Sequence, residues 1–196
     1  MKTHLKSINE ARLKYKPATI KCLFIAEAPP SDEDRFFYFE NVLEQDSLYL
    51  EMMKALFADD KSDEENYTMT SIFDGTIPTA DLRNNKEDWL NKFKNEGYYL
   101  IDSSDQPMPY GNGTTEKIRF LERRKNSLLE KVKPLVDQRT PIVLISVPVY
   151  QAMAGMLKYN GFNVIHNEPV PFPGSGQQKV FQEKMKLIIN KYLKKQ

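Results

Sequence analysis

Four short apolar runs stand out in the hydrophobic pattern of the chain. They lie at residues 20–26, 98–102, 141–147 and 162–167, and they contain the sequences CLFIA, YYLID, PIVLISV and FNVIHN. Each run is short and consists largely of apolar, β-branched or aromatic residues. The pattern therefore predicts four buried strands.

Apolar residues with helical spacing fill the segments around these runs. The predicted helices lie at residues 1–17, which form an N-terminal helix, and at 48–57, 86–96, 115–133, 149–158 and 177–195. Alternating strands and helices indicate an α/β fold in which helices cover both faces of a mostly parallel sheet. We expect a single domain over residues 1–196, arranged as a three-layer α/β/α sandwich with a central four-stranded parallel sheet.

The chain is almost neutral, because 28 Lys and Arg against 27 Asp and Glu give a formal charge of +1. This balance excludes a generally basic, histone-like protein but leaves room for a local basic face. The acidic sequence FADDKSDEEN is typical of a solvated segment, and it predicts a surface loop within residues 58–80.

Cys22 is the only cysteine, which excludes a disulfide framework, a cysteine-based zinc site and a four-cysteine iron–sulfur cluster. His4 and His166 do not form a metal-binding pattern, so we expect no metal and no cofactor. No apolar run approaches the roughly 18 residues of a membrane span, and the N-terminus lacks the apolar stretch of a signal peptide. We expect a cytoplasmic protein without a membrane partner.

Three loops rich in proline or glycine follow predicted strands. They are AEAPPSDEDRFF, DSSDQPMPYGNG and EPVPFPGSGQQ. Ligands of parallel sheets bind outside the carboxyl ends of the strands. Prolines stiffen all three loops, and glycines in two of them let the backbone approach a ligand closely. We therefore expect a ligand site where these three loops converge.

The first of these loops carries a carboxylate and a group of aromatic residues. Glu27 follows an apolar strand, where a partly desolvated carboxylate can act as a general base or orient a water molecule. Phe36, Phe37, Tyr38 and Phe39 come next, and an exposed ring among them can stack on a flat base. In the alternative interpretation, two of these four rings belong to the core.

These residues resemble the uracil-DNA glycosylase superfamily. Its first motif is an apolar strand followed by Gly-Glu/Asn-x-Pro-Gly and then an aromatic residue, and AEAPP at residues 26–30 with Phe36 or Phe37 resembles it. YYLIDSSDQPMPYGNGTTEKIRFL resembles the next strand with its polar residue and proline-rich loop. PIVLISVPVYQAMAGML resembles the following strand and helix, and EPVPFPGSGQQ takes the place of the His-Pro-Ser-Pro loop. The order and spacing hold over most of residues 18–190.

The resemblance implies an enzyme that flips a base out of DNA and hydrolyses its N-glycosidic bond through a cationic sugar. It implies DNA as the partner, Glu27 as the residue that activates water, Phe36 or Phe37 as the stacking platform and Asp102 as the base-reading residue. It also implies that the last loop contacts phosphate through backbone N–H groups near a helix start. The implied DNA-binding residues are Pro171, Gly174, Ser175 and Gly176.

Three positions differ from the superfamily's pattern. Pro30 replaces the glycine that closes the first motif and removes one backbone donor. Val170 stands where the superfamily has a catalytic histidine, and a valine can neither donate to a uracil oxygen nor stabilise the developing anion. His166, earlier in the chain, is the candidate that replaces it, with an ordinary packing histidine as the alternative. Asp102 stands where several members have asparagine. An ionised aspartate only accepts hydrogen bonds, so it suits a donor such as an exocyclic amine better than it suits O4 of uracil.

Two functions therefore remain open. The first is a DNA glycosylase or related N-glycosidic hydrolase in which Glu27 is the base. The second is a catalytically inactive family member that binds a nucleotide, a nucleic acid or a protein through the same cleft. An open pocket in which Glu27 faces an aromatic ring favours the enzyme. A pocket filled by Tyr38 or Phe172 favours the binding protein.

Overall fold

A computed structural model describes residues 2–31, 35–42, 44–58, 77–109, 113–174 and 176–193. Its strands are β1 Cys22–Ala26, β2 Tyr98–Asp102 and β3 Ile142–Leu144. Its helices are α1 Lys2–Lys14, α2 Ser47–Phe57, α3 Thr79–Asn84, α4 Lys86–Asn95, α5 Thr114–Glu122, α6 Lys125–Val132, α7 Val147–Tyr159 and α8 Gln178–Ile188, which a π-helical turn Ile189–Leu193 extends. The predicted α/β class is confirmed.

The helix predictions differ from the structure in two places. The single helix predicted over residues 115–133 is divided into α5 and α6, because the backbone leaves helical geometry at Arg124 (φ −110°, ψ 5°). The short helix α3 was not predicted, since six residues do not establish a hydrophobic period. Most of the loop predicted at 58–80 lies outside the described residues, which resume at Ile77.

The three strands form one parallel sheet in the order β2-β1-β3, with β1 in the centre. Every residue of β1 is buried, with at most 2% of its surface exposed. Successive side chains of a strand point to opposite faces, so complete burial means that both faces of β1 are covered. This is the environment that the apolar sequence CLFIA predicted.

The predicted fourth strand at residues 162–167 does not pair as a strand. Val164 forms only an isolated parallel bridge to Ile142 of β3. Further along β3, a side chain replaces the backbone carbonyl of a partner strand, because Nε2 of His166 accepts a hydrogen bond from the N–H of Leu144 at 2.9 Å. A second isolated parallel bridge joins Ile145 to Val170. The predicted number of four paired strands is thus corrected to three paired strands and two isolated bridges among the described residues.

The aromatic segment after β1 covers β2. The hydroxyl of Tyr38 accepts a hydrogen bond from the N–H of Leu100 at 2.7 Å and lies 3.2 Å from the carbonyl oxygen of the same residue, to which it donates. These bonds satisfy two backbone groups that β1 does not use. They also fix the neighbouring rings of Phe36 and Phe37 close to the sheet.

The buried apolar residues form one continuous core. Helix α2 packs against α8, and α5 packs against α7. Cys22 lies in this core, and burial raises the pKa of its thiol. In the part of the chain that the structure describes, no helix combines the length and the apolarity that crossing a lipid bilayer requires.

Candidate functional site

The register between β1 and β2 brings two of the predicted site residues to one edge of the sheet. Ala26, the last residue of β1, pairs with Asp102, the last residue of β2. Ser103 extends this pairing, since its N–H and its hydroxyl both donate to the carbonyl of Ala26, at 2.9 and 2.6 Å. Glu27 follows Ala26, so it leaves the sheet at the same edge as Asp102.

A cavity of about 430 Å³ opens at this edge. Sites for small molecules have volumes of roughly 300–1,000 Å³, so its size suits a ligand such as a base or a nucleoside. The walls come from the loop after β1, the loop after β2, the start of α2 and Phe172 of the last predicted loop. Four predicted site residues line the cavity: Glu27, Phe36, Phe37 and Asp102.

Glu27 has a cation beside it. Its Oε2 atom lies 3.6 Å from Nζ of Lys117, and its side chain is 17% exposed. Lys117 belongs to α5 and also lines the cavity. The sequence analysis did not single out Lys117, because nothing in the helical pattern distinguishes it from other surface lysines. A carboxylate in this setting can orient a water molecule or stabilise a cationic intermediate.

Phe36 and Phe37 form an aromatic wall that is anchored in the core. Both are buried, with 4% and 8% of their surface exposed. The ring centroid of Phe37 lies 5.9 Å from that of Tyr49 and 5.5 Å from that of Phe93, while Phe36 contacts Tyr38 at 5.8 Å. The burial confirms the alternative interpretation, in which these two rings belong to the core. Both rings also line the cavity, and stacking of a base on either of them stays a prediction.

Asp102 is paired with an arginine of the N-terminal helix. Nη2 of Arg12 donates to Oδ2 of Asp102 at 2.7 Å, and the two side chains are 13% and 5% exposed. Burial raises the pKa of Asp102 above its ordinary value of 3.8, and the Arg12 guanidinium opposes this rise. The two residues are 90 positions apart, so sequence patterns gave no sign of the pair.

One further ion pair and one further hydrogen bond order the cavity wall. Asp46 accepts hydrogen bonds from Nη2 and Nε of Arg83, at 2.7 and 3.3 Å. Arg35 donates to Oε1 of Gln45. Asp46, Arg35 and Gln45 all line the cavity, and none of them was a predicted site residue.

The structure places His166 away from the cavity. Its Nε2 accepts from the N–H of Leu144 at 2.9 Å, so Nδ1 carries the proton and donates to the carbonyl of Glu168 at 2.7 Å. Burial lowers the pKa of the imidazole, which favours the neutral ring that this bonding requires. Both ring nitrogens are therefore occupied by backbone groups. This bonding gives the predicted catalytic role of His166 no support, and the residue stabilises the edge of β3.

The last predicted loop contributes Phe172 to the cavity, with 41% of its surface exposed at the wall. Pro171, Gly174 and Gly176, which were predicted to bind DNA, are not part of the cavity wall. Ser175 lies outside the described residues. Gly174 leaves room for Phe172, since a Cβ atom at position 174 would lie only 3.3 Å from the phenyl ring. Tyr38 does not line the cavity, because its hydroxyl is bound to Leu100.

The described wall thus combines a carboxylate beside a cation, two largely buried aromatic rings and a buried acceptor. Such a combination suits a flat heteroaromatic ligand that carries N–H donors. The carboxylate suits a reaction in which positive charge develops on that ligand. Compared with protein-family models, with curated proteins and with solved structures, the chain matches none of them.

Proposed function

We propose that this chain is a divergent member of the uracil-DNA glycosylase-like superfamily that hydrolyses the N-glycosidic bond of a base flipped out of DNA. The observation that carries the proposal is that Glu27, Phe36, Phe37 and Asp102 line one cavity. The strand order β2-β1-β3 supports the proposed fold. In that fold, a three-layer α/β/α sandwich, the segment that bridges to β3 at Val164 would correspond to the fourth strand of the sheet.

The proposed reaction uses Glu27 in two ways. As the bond between C1′ and the base nitrogen breaks, its electron pair leaves with the base and positive charge develops on the sugar. The carboxylate of Glu27 stabilises that charge and accepts a proton from the water that attacks C1′. The departing base takes up a proton from solvent. The products are the free base and an abasic deoxyribose.

Negative charge on the departing base needs a partner other than histidine. Val170 is 1% exposed, and its backbone bridges to Ile145 and accepts from the N–H of Ser146 at 2.8 Å. A buried valine offers nothing to the base, and His166 is bonded elsewhere. Lys117 is the cation of the cavity wall nearest to Glu27, so we assign to it the positive charge that favours departure of an anionic base.

The helix that carries Lys117 also suits a DNA backbone. Arg119 lies on α5 and Arg123 directly follows it, and both are exposed. Exposed arginines bind phosphate oxygens regardless of sequence. A DNA strand that crosses α5 would bring a flipped nucleotide towards the cavity next to Lys117.

A binding protein without catalysis is the second candidate. Phe172 supports it, because this exposed ring stands in the cavity wall, where a pocket filled by an aromatic side chain favours binding over catalysis. In that case the protein binds a nucleoside or nucleotide in the cavity and releases no base.

A base-release assay tests the proposal. Oligonucleotides that each contain one altered base, with uracil among them, are incubated with the protein, and free base and alkali-labile abasic sites are measured. We expect release from at least one oligonucleotide and a loss of at least about a hundredfold in the Glu27→Gln variant. Glu130→Gln makes the same chemical change on α6, where the side chain is 71% exposed, and should leave the rate unchanged.

Two results would overturn the proposed hydrolysis. One is the absence of base release from every oligonucleotide under conditions in which the protein is folded. The other is an equal rate of release in the wild-type protein and in Glu27→Gln, which would locate the reaction outside this cavity.

A further inference from the structure

We propose that the cavity selects a nucleobase that presents an exocyclic amino group to Asp102, and that it discriminates against uracil. This inference rests on the proposed function, because it names the class of base that the same cavity takes. It follows from the hydrogen bonds that the polar side chains of the wall already make.

Asp102 is held in place as a hydrogen-bond acceptor. The guanidinium of Arg12 donates to Oδ2 at 2.7 Å, and this charge-assisted bond favours the ionised carboxylate. An ionised carboxylate has two oxygen atoms with about four acceptor positions and no donor. Among the described residues, Arg12 is the one side chain that donates to this carboxylate. A ligand in the cavity therefore meets unused acceptor positions at Asp102.

The exocyclic group of a base decides whether those positions are satisfied. Cytosine carries an amino group where uracil carries the O4 carbonyl, and guanine carries an amino group where hypoxanthine carries only hydrogen. A carbonyl opposite a carboxylate places two acceptors together without a proton between them, whereas an amino group supplies the donor. Uracil can offer the carboxylate only its N3–H, which stands between two carbonyls that the carboxylate repels, whereas cytosine offers its amino group. Guanine offers its amino group together with N1–H, and hypoxanthine offers N1–H alone. Asp102 therefore favours cytosine over uracil and guanine over hypoxanthine.

Arg12 also connects the acceptor to the aromatic wall. Its guanidinium carbon lies 5.4 Å from the centroid of the Phe36 ring while Nη2 binds Asp102. The position of the carboxylate relative to the aromatic wall is thus fixed by one side chain.

Two matched pairs of nucleosides test the inference. Binding of 2′-deoxycytidine and 2′-deoxyuridine, and of 2′-deoxyguanosine and 2′-deoxyinosine, is measured by titration with the Glu27→Gln protein, in which no turnover interferes. The amino-bearing member of a pair should bind at least about tenfold more tightly, the discrimination expected of one specific donor–acceptor contact. Adding Asp102→Asn should reduce that preference to less than about twofold. Asp105→Asn, an exposed aspartate outside the cavity wall, should leave it unchanged.

The outcomes separate this inference from the proposed hydrolysis. Equal or tighter binding of the deoxyuridine and deoxyinosine members, a preference that survives Asp102→Asn, or binding of none of the four nucleosides would each overturn it. Selective binding without any base release by the wild-type protein would overturn the hydrolysis alone. The comparison of nucleosides with Asp102 intact gives a result even if Asp102→Asn does not fold.

Discussion

The ammonium group of Lys117 lies 3.6 Å from Oε2 of Glu27 at the mouth of the cavity. Glu27 follows the central strand β1, and Lys117 is on the first helix after β2, so the parallel pairing of the two strands brings them together. The pair places positive charge next to the residue assigned to the activation of water. Removing the charge of Lys117 should affect the rate of base release more than the stability of the folded protein.

Lys117→Met should lower the rate of base release by about tenfold or more, because the departing base loses the cation that offsets its charge. The free energy of unfolding should change by less than about 1 kcal/mol, since the Lys117 side chain is 34% exposed. Lys117→Arg keeps the charge and should retain most of the activity. Single-turnover kinetics and urea denaturation measure the two quantities, and an unchanged rate in Lys117→Met would contradict the assignment.

Arg12→Met leaves the buried Asp102 without its cation and should reduce the free energy of unfolding by about 3–5 kcal/mol at neutral pH. The loss should be smaller near pH 4. Burial already raises the pKa of Asp102 above 3.8, and Arg12 opposes that rise, so the pKa should rise further in the variant. A buried carboxyl with a raised pKa destabilises the folded state while it is ionised, and this cost disappears as the pH falls through its pKa. Denaturation at several pH values measures this. The double variant with Asp102→Asn should recover stability at neutral pH, and a loss independent of pH would exclude an unpaired carboxylate as the cause.

His166→Gln tests the structural role of the histidine. Burial lowers the pKa of His166 below 6.5, so the unfolded chain binds a proton more readily than the folded protein, and stability falls as the pH falls below 6.5. The variant should lose this pH dependence and about 1–2 kcal/mol of stability at neutral pH from the bonds to Leu144 and Glu168. Base release should remain within about threefold of wild type, whereas a large loss of rate without unfolding would restore a catalytic role.

Lys86 offers a stabilising substitution. Its side chain is 2% exposed, its Nζ has no hydrogen-bond partner among the described residues, and it lies 4.3 Å from the centroid of the Tyr49 ring. Burial lowers its pKa to about 8 from 10.5, so the cost of the buried charge is fully present below pH 8 and diminishes as the pH rises towards 10.5. Lys86→Met should therefore stabilise the protein by about 2–3 kcal/mol at pH 7, and by less at pH 10. Equal gains at both pH values would contradict this origin.

Local patterns in the sequence were sufficient to predict most of the elements and part of the cavity wall. The apolar runs identified β1, β2 and β3, and Glu27, Phe36, Phe37 and Asp102 were singled out because each lies at a strand end or in the loop that follows. Parallel strands place such ends at one edge of a sheet, which is a general property of the fold class.

Contacts between distant segments explain what the sequence did not reveal. The pair formed by Arg12 and Asp102 depends on where α1 packs, and no periodicity encodes that position. The segment around His166 has the composition of a strand, but its imidazole takes the place of a backbone acceptor beside Leu144, so two isolated bridges stand where a continuous ladder was predicted. Composition alone does not distinguish a histidine that binds the backbone from one that takes part in catalysis.

A crystal structure of the Glu27→Gln variant with the most tightly bound of the four nucleosides tests most directly that a base occupies this cavity. We expect the base to contact Phe36 or Phe37 and to present its amino group to Asp102, with C1′ as the sugar atom nearest to position 27. A nucleoside bound elsewhere on the molecule, or one in the cavity with its sugar turned away from position 27, would contradict both the site and the proposed reaction.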